Sequence, residues 1–155
     1  MSDDTIPASK ILIVDDNAQN LELLEAYLEE LPGSTIMHAS NGMEALEKVA
    51  ADPPDLILLD IMMPKMSGFE VCQKLKSAEK TRDIPIIMVT ALHELADIER
   101  GVEMGTNDFI TKPVNRIDLL TRVRSLLRSR HAATDLDREI EYLGGLGEPP
   151  NQGQA

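Results

Sequence analysis

The chain has 155 residues, of which 43% are hydrophobic, and these values fit one globular domain with a proper core. A formal net charge of −12 argues against direct nucleic-acid binding, because the phosphates would be repelled. The single cysteine excludes an internal disulfide, and no apolar run approaches the ~20 residues of a membrane span. The first residues are acidic, whereas a signal peptide begins with basic residues. We therefore expect a cytoplasmic protein without a membrane segment.

Five short apolar runs alternate with five segments of helical periodicity. The runs are typical of strands buried on both faces and lie at 10–14, 35–39, 56–59, 84–90 and 108–111. Helices are predicted after Asn17, after Asn41, after Gly68, from Leu95 to Gly105, and from about Asn115 to Arg130. This alternation predicts an α/β fold, a doubly wound parallel sheet with helices on both faces.

Two segments flank the predicted α/β domain, which we place at 10–130. Residues 1–9 are polar and are expected to form a loose N-terminal arm. In the C-terminal extension, 131–155, we expect helix to continue from Ala132 to about Leu143. The segment 144–155 is rich in Gly, Pro and Gln and is expected to be disordered, so no output domain is predicted.

Polar residues stand where the predicted strands end. Asp15 and Asp16 follow the first strand, Asp60 the third, Thr90 closes the fourth, and Lys112 follows the fifth. The carboxyl ends of parallel strands meet at one edge of a sheet, where open α/β folds bind their ligands. We therefore expect these five side chains to converge on one pocket.

The predicted pocket combines three carboxylates with a hydroxyl and an ammonium group. Clustered carboxylates repel one another and favour a divalent cation, and oxygen ligands without nearby His or Cys indicate Mg²⁺, with Mn²⁺ as an alternative. A hydroxyl and an ammonium are suited to hold a phosphoryl oxygen. Taken singly, each residue also has an ordinary structural interpretation: Asp15 and Asp16 as a helix cap, Asp60 as the start of a turn, and Lys112 as a solvated lysine.

Together these residues resemble the receiver domain of bacterial two-component response regulators, over roughly residues 9–130. The motifs that carry the resemblance are Asp15-Asp16, Asp60 followed by Met63-Pro64 and Gly68, Thr90-Ala91, and Lys112-Pro113. The resemblance implies the flavodoxin-like receiver fold, a five-stranded parallel sheet of strand order 2-1-3-4-5.

The resemblance also implies a role for each site residue. Asp60 would be the phospho-acceptor, and Lys112 would pair with the phosphoryl group. Mg²⁺ would be held by Asp16, Asp60 and the main-chain carbonyl of Met62, with Asp15 contributing through water.

Two further residues would form the switch of such a domain. Thr90 would turn to hydrogen-bond the phosphoryl oxygen, and Phe109 would fill the space that it vacates. The family often has Tyr at the second position, and Phe keeps the packing role without the hydroxyl. The bond before Pro113 would be cis, which is tolerable only before proline.

The implied function is a phospho-accepting signalling switch of a two-component phosphorelay, and not an enzyme acting on a separate substrate. The phosphoryl donor would be a histidine kinase or a histidine phosphotransfer protein. The domain would catalyse its own phosphorylation and slow dephosphorylation. A downstream protein partner would read the face of the fourth helix, fifth strand and fifth helix.

Two other classes use related topologies or chemistry. Magnesium-dependent phosphatases of the haloacid dehalogenase type also use an aspartate at a strand end, but they need a second carboxylate two residues later, where this chain has Met62. Flavin-binding proteins need a phosphate loop after the first strand, where Asp15 and Asp16 would repel a phosphate.

The last two helices differ in charge. The fourth carries Glu94, Asp97, Glu99 and Glu103 against Arg100, and the fifth carries Arg116, Arg122, Arg124, Arg128 and Arg130 against Asp118. A two-fold axis through this face would set acidic helix against basic helix twice. We therefore expect a phosphorylation-enhanced homodimer, in which Asp108 and Arg122 match a pairing position of the family.

Overall fold

A computed structural model describes residues 6–91 and 95–146 of the chain. Five strands and five helices alternate without exception within these ranges. The strands are β1 Ser9–Val14, β2 Ser34–Ala39, β3 Leu56–Asp60, β4 Ile86–Thr90 and β5 Asp108–Thr111. The helices are α1 Ala18–Leu28, α2 Gly42–Ala51, α3 Gly68–Ser77, α4 Leu95–Met104 and α5 Arg116–Leu146.

The strands form one parallel sheet in the order β2-β1-β3-β4-β5, as predicted. Helix starts follow from local side chains: the Asn17 and Asn41 carboxamides accept hydrogen bonds from backbone amides of the first turns of α1 and α2. Ser67 and Glu70 form a reciprocal capping box at α3. These caps set the points at which the chain leaves the carboxyl edge of the sheet.

Both faces of the sheet are buried, because alternate strand residues point to opposite sides. On one face Ile57 and Leu59 of β3 pack with α2 and α3. On the other face Leu56 and Leu58 pack with α1 and α5. The fully apolar strands are therefore explained by two cores separated by one sheet. Among the described helices, none combines the length and apolar composition needed to cross a membrane.

The element boundaries differ from the predictions mainly at the two termini. Ser9, expected in the loose arm, pairs in β1 with Ser34, and its hydroxyl lies 2.9 Å from Nε2 of His131. Residues 1–5 of the predicted arm lie outside the described residues. At the other end α5 is one uninterrupted helix of 31 residues that reaches Leu146, three residues into the predicted disordered tail. Residues 147–155 lie outside the described residues.

Candidate functional site

Three aspartates meet at the carboxyl edge of the sheet. Carboxylate oxygens of Asp15, Asp16 and Asp60 all lie within 4.8 Å of one another. Asp15 and Asp60 are buried, with 1% and 4% of their surface exposed, whereas Asp16 faces solvent. β1 and β3 are hydrogen-bonded neighbours in the sheet, and this adjacency brings together aspartates that are far apart in the sequence.

Two hydrogen bonds fix the Asp15 side chain. Its Oδ1 accepts from the backbone amide of Asn17 at 2.9 Å, and its Oδ2 accepts from Nδ2 of Asn20 at 3.2 Å. Within the described part of the chain, no side-chain hydrogen bond or ion pair holds Asp16. Asp15 is thus rigidly oriented by protein donors, and the exposed Asp16 carboxylate has its oxygens available to a ligand.

Lys112 brings a positive charge to the cluster. Its Nζ lies 3.3 Å from Oδ1 of Asp60 and 3.5 Å from Oδ2 of Asp15, and 28% of its side chain is exposed. The peptide bond between Lys112 and Pro113 is cis, as the resemblance implied. One ammonium among three carboxylates leaves an excess of negative charge, which fits a site for a divalent cation such as Mg²⁺.

The electrostatics of Asp60 reflect this excess. Burial raises the pKa of the Asp60 carboxyl above its usual value, and the negative charge of Asp15 raises it further. The Lys112 ammonium and a hydrogen bond from the backbone of Met62 oppose these effects and lower the pKa, but less strongly. The carboxylate that the sequence singled out is therefore held in an unfavourable environment that a cation would relieve.

Gly68 holds the loop after β3 close to the reactive edge. A Cβ at Gly68 would lie 2.3 Å from the carbonyl oxygen of Asp60 and 2.8 Å from the Cα of Ile61. The Gly68 amide donates to the Ile61 carbonyl at 2.9 Å, and Lys65, with φ of 69°, turns the loop in the left-handed region. Glycine is required here by a backbone-to-backbone approach, whereas the sequence predicted only that a helix follows Gly68.

Thr90 and Phe109 lie on the neighbouring strands β4 and β5. Thr90 is 2% exposed at the end of β4, one strand away from Asp60. Phe109 pairs in register with Met88, and its ring occupies the space left by Gly101 of α4, where a Cβ would lie 2.3 Å from Cζ. Gly101 was not among the predicted site residues, although a glycine inside a predicted helix usually has a packing reason.

The other predicted residue, Met62, follows Asp60 in the loop, and 64% of its surface is exposed. It stands where a haloacid dehalogenase-type phosphatase would need its second carboxylate, so the phosphatase alternative is not supported. Asp15 and Asp16 likewise occupy the place of a flavin phosphate loop. Of the three interpretations, receiver domain, phosphatase and flavin-binding protein, only the receiver domain agrees with this geometry.

Comparisons with known proteins agree with this geometry. The family profile of the response regulator receiver domain matches residues 11–124. The chain is 47% identical over 139 residues to the response regulator PleD of Caulobacter vibrioides, covering 88% of this chain and 30% of that protein. It is 41% identical to the DNA-binding dual master transcriptional regulator RpaA of Synechocystis, covering 86% and 55%. The chain therefore spans between about a third and about half of the curated relatives it matches.

Solved structures give the same result. The signal receiver domain of a signal transduction histidine kinase from Syntrophus aciditrophicus superimposes with a TM-score of 0.73 at 40% identity, covering 79% of this chain and 92% of that one. The chemotaxis protein CheY4 of Vibrio cholerae gives a TM-score of 0.71 at 28% identity, covering 76% and 98%. With its strand order, its edge of three aspartates and these matches, the chain belongs to the response regulator receiver domain family of two-component signalling.

Proposed function

We propose that Asp60 is the phospho-acceptor of this receiver domain. The observation that carries the proposal is the buried Asp60 carboxylate, with the Lys112 ammonium at 3.3 Å and two more carboxylates within 4.8 Å. The donor is a phosphohistidine of a histidine kinase or a histidine phosphotransfer protein. An Asp60 oxygen attacks phosphorus, the N–P bond breaks, and the imidazole nitrogen keeps the electron pair and takes up a proton.

The cation site supports this chemistry. Asp16, Asp60 and the Met62 carbonyl would hold Mg²⁺, and Asp15, already bound to two protein donors, would act through water. When bound, the ion supplies charge that offsets the carboxylates as a phosphoryl anion approaches. Lys112 contributes by pairing with a phosphoryl oxygen, since its ammonium already lies between Asp15 and Asp60.

Phosphorylation at Asp60 is read on the face formed by α4, β5 and α5. Thr90 turns towards the phosphoryl group, and the Phe109 ring moves into the space that the threonine side chain leaves. A movement of the ring changes its contact with α4, because the ring is seated against Gly101. The proposed signal therefore passes from a charge at Asp60 to the position of α4, where a downstream protein detects it.

The phospho-acceptor is tested with acetyl phosphate and a divalent cation. Intact mass should show one added phosphoryl group in the wild type and none in Asp60→Asn, while the control Asp118→Asn, on the surface of α5, should be modified normally. Chelation should stop the reaction. A phosphorylated Asp60→Asn protein contradicts the acceptor assignment, and a normal rate in chelator contradicts the metal role.

The α4-β5-α5 face is also proposed to form a phosphorylation-enhanced homodimer. Arg122 is paired within the chain, at 2.7 Å from Asp108 and 2.8 Å from Asp118, so dimerisation would exchange these partners between copies. On α4 the exposed side chains of Ile98 and Val102 give this charged face an apolar part. Apolar contact between copies would add to ion pairs that are weak when exposed.

This dimer is tested by light scattering with and without a phosphoryl mimic. We expect a larger dimer fraction with the mimic, and less dimer at high salt, because exposed charges are screened over ~8–10 Å. Arg122→Glu should lower the dimer fraction while leaving phosphorylation of Asp60 intact. A protein that is monomeric in both states at high micromolar concentration refutes this part of the proposal.

A further inference from the structure

The extension of α5 carries an apolar stripe in solvent. Leu136, Ile140 and Leu143 are 58%, 59% and 65% exposed. Their spacing of four and three residues is the alternation that positions d, a and d of a heptad repeat have. An exposed apolar stripe of this kind is typical of a surface that contacts another apolar surface.

The heptad continues back into the receiver domain. Arg122, Ser129, Leu136 and Leu143 recur every seven residues, and so do Leu126, Ala133 and Ile140. Residues seven apart on a straight helix drift by only ~20°, so both rows stay on one side of α5. Because Arg122 contacts Asp108 of β5, that side is the one that borders the α4-β5-α5 face.

We propose that the C-terminal half of α5 pairs with the same helix of a second copy, as a short parallel coiled coil continuous with the α4-β5-α5 face. The occupant is a second copy because the stripe is self-complementary under a two-fold axis parallel to the helix. In a parallel pair both domains lie at the same end, and the two Arg122 faces meet. An antiparallel pair would place the domains at opposite ends, where those faces cannot meet.

The residues that flank the stripe favour the same arrangement. In a parallel in-register pair, position g of one helix faces position e of the next heptad in the other. This places Ser125 opposite Arg130, Ala132 opposite Asp137, and Glu139 opposite Gly144. No like charges meet in these three pairs, so none of them opposes the parallel arrangement.

The seam is short, and this determines its strength. Leu126 packs against its own domain, so the free seam runs from Ser129 to Leu143 and spans about 22 Å of helix. Ser129 and Ala133 bury little apolar area in its first half, so Leu136, Ile140 and Leu143 supply most of the contact. The expected dimer is weak and reversible in the unphosphorylated protein, with phosphorylation adding the contact of the α4-β5-α5 face.

Sedimentation of the full chain tests the proposal without any phosphodonor, so that its outcome is independent of whether Asp60 is the phospho-acceptor. At ~100 µM the wild type should sediment with a mean mass between those of one and two 17.1 kDa chains, and this mass should rise with concentration. The double variant Leu136→Asp, Ile140→Asp should raise the dissociation constant by more than ~100-fold. Met43→Asp on α2, a residue 59% exposed, is the matched control and should dimerise like the wild type.

Disulfide cross-linking tests the orientation. Leu143→Cys lies in the seam and should cross-link rapidly between copies, whereas Asp135→Cys, one residue before Leu136, should not. The native Cys72 does not compete because it is fully buried. A monomeric wild type at ~100 µM, a dimer that survives both aspartates, or equal cross-linking at the two cysteines would each overturn the proposal.

Discussion

Replacing Asp60 by asparagine should stabilise the metal-free protein at neutral pH, although it removes the proposed phospho-acceptor. Asp60 is buried and carries a charge within 4.8 Å of the Asp15 carboxylate. At an effective dielectric constant of ~20, this repulsion amounts to about 3 kcal/mol or more. The cost of burying the charge adds to it, and the asparagine side chain would retain the shape of the aspartate without the charge.

The opposing interaction is the ion pair with Lys112. At 3.3 Å its attraction to Asp60 amounts to about 5 kcal/mol on the same scale. Water screens it, because Lys112 is 28% exposed, and in the variant Lys112 keeps its second partner, Asp15. Burial and repulsion prevail over this pair, as the raised pKa of Asp60 indicates. We therefore expect Asp60→Asn to raise the free energy of unfolding of the metal-free protein at neutral pH.

The pH dependence of stability is a second test of whether Asp60→Asn stabilises the protein. A carboxyl with a raised folded pKa destabilises the protein above that pKa, because the folded state must lose a proton that it binds more tightly than the unfolded chain. The advantage of Asp60→Asn should therefore be full above the raised pKa and disappear as the pH falls towards the ordinary value of 3.8. Urea unfolding in chelator measures it, with Asp16→Asn as a comparison that should gain less because Asp16 is exposed.

Added Mg²⁺ should reverse the order of stability, since a bound cation stabilises the wild type and has fewer ligands in Asp60→Asn. A variant that is less stable than the wild type at neutral pH in chelator would refute the reasoning. A gain of equal size near pH 3.8 and at neutral pH would also refute it.

Four other outcomes are predicted from packing and burial. Gly68→Ala should lower the free energy of unfolding by ~2 kcal/mol or more in urea titration, because its Cβ would meet the Asp60 carbonyl oxygen at 2.3 Å, and backbone cannot easily move. Gly101→Ala should be nearly neutral in the same titration, since the helix-propensity gain of ~1 kcal/mol offsets displacement of the Phe109 ring, but the ring's NMR shifts should change. Cys72 should resist alkylating reagents in the native protein and react on unfolding, because burial raises its thiol pKa to about 11. Removal of residues 147–155 should leave acetyl phosphate labelling unchanged; a labelling rate that falls with the truncation would show that this segment contributes to the site.

Much of the fold could be predicted because the strand patterns and helix starts in the sequence all agree with one parallel α/β topology. The four apolar residues of β3 and those of its neighbours had the composition of strands buried on both faces, and Asn17 and Asn41 marked helix starts that the structure confirms. The convergence of Asp15, Asp16 and Asp60 followed from strand ends meeting at one edge. These are properties of periodicity and of parallel topology, which the sequence carries directly.

The features that could not be predicted depend on contacts between atoms that meet only after the chain has folded. The contact of Gly68 with the Asp60 carbonyl involves backbone atoms whose positions no pattern of side chains encodes. The seating of Phe109 against Gly101 joins two elements that are adjacent only after folding. Ile98 and Val102 of α4 are apolar residues at helical spacing, yet they are 39% and 62% exposed. Helical periodicity identifies a helix face but does not tell whether its own domain or another surface covers it.

The unbroken α5 helix extends as a long rigid arm beyond the domain core. The part beyond Leu127, the last core residue of the helix, extends 19 residues to Leu146, or about 28 Å at the rise of an α-helix. A tilt of ~10° at the base would move the far end by ~5 Å, a displacement far larger than the sub-ångström shifts by which packed cores adjust. A small rearrangement beneath α5 would thus produce a much larger movement at the far end of the helix.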